Sequence, residues 1–115
     1  MHIAYHALEL FEAPRDQIRV TILQWLVETG FTVSSSSPSD CDIRAERGSA
    51  IAVTDEETGR VMEVIIQGLE NVTAVSVYHH TTRIGPIAGV AFGDVLRDEA
   101  HALLEFLTDT MVENL

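Results

Sequence analysis

The stretch DVLRDEAHALLEFLTDTMVE, residues 94–113, decides the fold class. Leu96, Ala100, Leu103, Leu107 and Met111 recur at spacings of 4, 3, 4 and 4, which lines them up along one face of an α-helix. Leu104, Phe106 and Val112 widen that face. No glycine or proline interrupts the run, and Asp94 is placed to cap its first free backbone N–H groups. A helix this long and this one-sided needs a broad apolar surface to lie on.

The segments upstream supply that surface. Residues 60–69 carry the β-branched run Val64-Ile65-Ile66, and in residues 72–82 Val75 and Val77 alternate with Ala74, Ser76 and Tyr78. Residues 42–53 place Ile43, Ala45 and Arg47 on one parity and Arg44 and Glu46 on the other, and residues 31–36 begin a further strand at Phe31-Thr32-Val33. The connections are a serine-rich loop, Ser34 to Asp40, and the polar turn Asp55-Glu56-Glu57-Thr58-Gly59. Such short links predict an antiparallel meander.

Residues 2–11 read as a first strand, with Ile3, Tyr5, Ala7 and Phe11 on one parity, Leu8 and Leu10 on the other, and Glu9 breaking the first set. Pro14 is expected at the first position of a helix, where its missing N–H costs nothing, with Asp16 at the positive end of the dipole. Ile18, Ile22, Trp25, Leu26 and Thr29 form its buried stripe. Val20, Leu23 and Val27 add a second apolar flank, so cover on more than one side is expected. Gly30 ends the helix as a left-handed residue, and Phe31 follows as the position that folds back in a Schellman arrangement. Residues 84–93, with Gly85-Pro86, Gly89 and Gly93, read as a connection into the last helix; they lack the Walker lysine and the GxGxxG spacing of a nucleotide site.

The chain has 115 residues, 46% apolar and 22% charged, with a mean hydropathy of +0.14. That predicts one domain, 1–115, and excludes a disordered chain. No apolar run is long enough for a membrane span, and Met1-His2-Ile3-Ala4-Tyr5-His6 lacks the basic flank and apolar block of a signal peptide. The single cysteine, Cys41, fits a reducing cytoplasm. Acidic residues number 18 against 7 basic, for a net charge of −11, and every basic residue is arginine. Such a surface repels nucleic acid and anionic lipid and suits salt adaptation of the host.

Candidate chemistry is sparse. His2 and His6 share a parity on the first strand, and His79 and His80 end the fifth, yet no HxH or HExxH spacing supports a metal site. Cys41 lies between Asp40 and Asp42, whose charge disfavours a thiolate nucleophile. Arg44, Glu46 and Arg47 read as cross-strand ion pairs, while Arg47-Gly48-Ser49 also suits a carboxylate or phosphate.

Strand, helix, four antiparallel strands and a long C-terminal helix resemble the TATA-binding-protein-like layout, which includes helix-grip, START-like domains. Gly30-Phe31, Ala45-Glu46-Arg47-Gly48-Ser49 and the glycine-rich lead into the last helix also look like small prokaryotic domains of this layout. The resemblance implies an α+β fold in which one sheet packs on the long helix, with an apolar pocket between them. The basic, phenylalanine-bearing surface with which a TATA-binding protein bends DNA is missing here. The expected function is a non-catalytic module that binds a small apolar ligand or a protein partner, through Trp25, Arg47, Tyr78, Leu103 and Leu107. Alternatives are an enzyme-like helix-grip domain with a polar pocket and an acidic, dimeric chaperone-like protein. No cofactor and no metal are expected. A homodimer is, because one sheet leaves apolar helix flanks uncovered.

Overall fold

The computed structural model describes residues 3–35, 42–48, 58–81 and 89–113. Its elements are β1 (Ala4–Phe11), α1 (Arg15–Glu28), β2 (Thr32–Ser35), β3 (Asp42–Arg47), β4 (Arg60–Gly68), β5 (Thr73–Thr81) and α2 (Gly89–Glu113). The five strands form one antiparallel sheet in the order β1-β5-β4-β3-β2. The α+β fold expected from the chain is therefore present: a five-stranded antiparallel sheet packed against a long C-terminal helix.

Register places the core. Tyr5, Ala7 and Phe11 of β1 lie across from His79, Val77 and Thr73 of β5, and Val77 and Val75 lie across from Val64 and Ile66 of β4. These positions face the helices. Ile18, Ile22 and Leu26 of α1 and Leu103 and Leu107 of α2 are fully buried against them. Each such side chain contributes about 1.5–3 kcal/mol by leaving water.

The end of α1 follows its local sequence. Gly30 has φ 91°, which L side chains rarely adopt. The Phe31 N–H donates to Leu26 O at 2.9 Å and the Gly30 N–H to Val27 O at 3.2 Å, the two bonds of a Schellman end.

Three local expectations need correction. Pro14 is the N-cap, not the first helical residue; its φ of −64° suits either place, but its ψ of 143° is extended. Val20 and Val27 are 62% and 66% exposed, because α1 meets α2, β2 and β4 on one side only. Leu23 alone of that flank packs against the core. Finally, α2 starts at Gly89, so Asp94 lies inside the helix and pairs with Arg97 at 3.2 Å instead of capping. Gly93, inside the helix, costs roughly 1 kcal/mol, less than the packing of the stripe that follows returns.

Candidate functional site

On the inner face of the sheet, four charged or titratable side chains meet. Arg60 of β4 is 2% exposed. Its Nε donates to Glu99 Oε1 at 2.7 Å and its Nη2 to Glu99 Oε2 at 2.8 Å, while Nη1 donates to Thr58 O at 2.9 Å. Arg47 of β3, beside Arg60 in the register, donates from Nη1 to Glu99 Oε2 at 3.2 Å. His79 of β5 is fully buried, with Nε2 at 2.9 Å from Glu99 Oε1 and Nδ1 at 3.0 Å from Val61 O. Both partners are acceptors, so the ring donates to both only as imidazolium.

Glu99 sits at the centre of this cluster. Burial alone raises its pKa, but hydrogen bonds from His79 and Arg60, with the charges behind them, bring it down to about 2. It is thus a fixed anion over most of the pH range. The two-pronged contact with Arg60 is the geometry in which guanidinium and carboxylate match best. Arg47 is 40% exposed and its guanidinium lies 5.8 Å from the centre of the Phe31 ring.

A second feature lies at the β1 edge of the sheet, beside α2. An open groove of about 540 Å³ runs between β1 and α2, lined by Ala7, Leu8, Glu9, His101, Leu104, Glu105, Thr108 and Asp109. A further space of about 260 Å³ continues along Leu10, Glu12 and Met111. At the other end, Tyr5 Oη and His101 Nε2 share a hydrogen bond of 2.6 Å.

The five residues expected to bind ligand do not converge. Trp25 is buried and stacks on Phe31 at 5.9 Å, and Leu103 and Leu107 are fully buried in the same core. Arg47 lies at the rim of the Glu99 cluster. Tyr78 stands on the opposite face of the sheet, between His6 and His80, with ring centres 6.5 Å and 4.8 Å away. His79 and His80 point to opposite faces, as neighbours in a strand must. His6 pairs with Ser76 at 2.7 Å and His80 with Glu63 at 3.1 Å. Arg44 reaches Glu63 at 2.9 Å and Glu46 at 3.9 Å on that outer face, so the Arg44, Glu46, Arg47 group divides between the two sides. His2, Cys41, Ser49, Gly85 and Pro86 lie outside the described residues. Among the described residues, no group of three or more His, Cys, Asp or Glu side chains is arranged to hold a metal ion, and no helix is long and apolar enough to cross a membrane.

Arg60 and Glu99 escaped the sequence reading. A signal existed for each. Arg60 shares a parity with Met62, Val64 and Ile66, and Glu99 falls between Leu96 and Ala100 on the apolar stripe. A single charge within an apolar set is the mark of a buried pair, but its partner is not visible along the chain.

No family model and no curated protein matches the chain. Among solved structures it is similar to the crystal structure of Ara h 8.0201, a Bet v 1-like protein, with a TM-score of 0.62 at 4% sequence identity. The match covers 98% of this chain and 99% of that one. The fold is helix-grip. At 4% identity the likeness speaks for the helix-grip backbone alone, not for its side chains.

Proposed function

We propose that this helix-grip chain, residues 1–115 taken as one domain, is a non-catalytic binding module. It takes a small ligand with an apolar body, or a protein partner, in the groove between β1 and α2. The observation that carries the reading is that groove. Its volume of about 540 Å³ falls within the roughly 300–1,000 Å³ usual for ligand sites, and its lining combines Ala7, Leu8 and Leu104 with Glu9, His101, Glu105, Thr108 and Asp109. Trp25, Leu103 and Leu107 are buried in the core and do not line it. A cytoplasmic setting, suggested by the lone cysteine, belongs to the same reading.

The enzyme-like alternative has its own observation in the Arg60, His79 and Glu99 cluster. Against it, Arg60, Arg47 and His79 direct their described hydrogen bonds at Glu99 or at backbone carbonyls, and the carboxylate is held as an anion rather than poised near neutrality. Such a cluster suits a strut between sheet and helix.

Backbone amide spectra recorded while octanol is titrated in test the binding reading. Shifts confined to Ala7, Leu8, His101, Leu104 and Thr108 are expected. If octanol moves none of these amides, the groove is not a ligand site. Native mass spectrometry of the purified protein adds whether a ligand travels with it.

A further inference from the structure

The sheet has two edges, and only one is blunted. β2 has four residues and a register shift between Val33 and Ser35, a common way to keep an edge from pairing. β1 has eight residues in unbroken register with β5, no proline and no bulge, and among the described residues no strand lies beyond it.

The register says which backbone groups are free along that edge. The Thr81 N–H donates to Ile3 O at 3.0 Å, so Ile3 and Thr81 are a hydrogen-bonded pair. Antiparallel pairs alternate between bonded and unbonded, which makes Tyr5, Ala7, Glu9 and Phe11 the residues turned to β5. The N–H and C=O groups of Ala4, His6, Leu8 and Leu10 therefore point away from the sheet, into the space that α2 borders. Leu8 and Leu10 are 64% and 58% exposed.

The charge beside that edge has one sign. Glu9 and Glu12 on the β1 side and Glu105 and Asp109 on α2 line the groove and its continuation, all exposed. Among the described residues none of the four is in an ion pair, and the linings contain no lysine or arginine.

We infer that the β1 edge takes up a cationic, extended peptide segment, which adds a strand to the sheet and lies in the groove under α2. The inference rests on the reading of this groove as a binding site and names its occupant. Main-chain bonds to the free groups of β1 would hold the segment, and the pleat fixes its pattern. Alternate side chains face Glu105 and Asp109 and are best lysine or arginine. The others lie beside Leu8 and Leu10 and are best apolar. A second copy of β1 is a poor occupant: it would bring Glu9, Glu12 and α2's acids of two chains together, each chain carrying −11.

The test uses the full chain, two capped peptides as long as β1, one alternating lysine with valine and one alternating glutamate with valine, and octanol as a neutral probe. The lysine peptide is expected to shift the amides of β1 and α2, to slow hydrogen exchange at Leu8 and Leu10, and to bind more weakly as salt rises. The double change Glu105→Gln with Asp109→Asn is expected to weaken it roughly five- to tenfold. Leu8→Pro, which removes an edge N–H that the sheet does not use, is expected to abolish it while far-ultraviolet circular dichroism stays unchanged. Equal binding of the glutamate peptide overturns the inference. So does octanol binding with no response to the lysine peptide, which leaves the binding reading standing. If neither peptide nor octanol moves the groove amides, both fall. A mass of two chains in sedimentation equilibrium, abolished by Leu8→Pro, would assign the edge to a second copy instead.

Discussion

Arg60 and Glu99 join β4 to α2 through two parallel hydrogen bonds of 2.7 and 2.8 Å, with the arginine 2% exposed. Removing one partner takes two charge-assisted hydrogen bonds from the other where water cannot readily replace them. Glu99→Leu removes both of these bonds from the buried Arg60, at a cost of about 3–5 kcal/mol. Arg60→Met together with Glu99→Leu is expected to cost less than Glu99→Leu alone, since an apolar pair of similar size fills the space. Urea unfolding of the single and double variants measures this; additive losses would show that the two residues are not coupled.

Acid should act through the same carboxylate. The folded-state pKa of Glu99, about 2, lies below the ordinary value of 4.5. Its contribution is therefore complete above about pH 4.5 and is lost as pH falls towards 2. The contribution amounts to at most about 3 kcal/mol. Glu99→Gln should be less stable at neutral pH and show a shallower loss across that window. Parallel curves for the two proteins would refute the assignment.

Trp25→Ala should destabilise by about 3–5 kcal/mol, because the ring is buried and stacked on Phe31. A loss under about 1 kcal/mol in denaturant titration would mean that the site collapses around the missing ring.

Gly30→Ala is expected to cost about 1 kcal/mol or more through the backbone. A Cβ there would meet Arg47 Nε at an ordinary 3.7 Å, so the penalty comes from φ of 91°, not from a clash. Gly30→Asn should cost less than Gly30→Ala, since asparagine tolerates the left-handed region. Thermal unfolding showing the reverse order would point to sterics.

Salt should raise stability. With a net charge of −11, screening at molar NaCl, where the Debye length is about 3 Å, relieves self-repulsion more than it weakens the buried Arg60–Glu99 pair. A thermal midpoint that falls steadily from low to molar NaCl would contradict this.

The periodicities of this chain carried the architecture. The stripe from Leu96 to Met111, the alternation around Val75 and Val77, and the Gly30-Phe31 helix end are local patterns, and local patterns are set by the pitch of a helix, the pleat of a strand and the φ of a glycine. They determined the elements, their order and the single antiparallel sheet. They misplaced the start of α2, because the glycine penalty at Gly93 is weaker than the packing that overrides it.

What the tertiary structure alone decided is which charges meet and which edge stays open. Arg60 and Glu99 stand 39 residues apart, and although each interrupts an apolar set, neither reveals its partner until the sheet and α2 close on one another. Strand order likewise put β5 between β1 and β4 and left β1 as an edge beside the acids of α2. Pairing across long loops depends on where every other strand goes, so it is a property of the assembled sheet and not of any segment of the sequence.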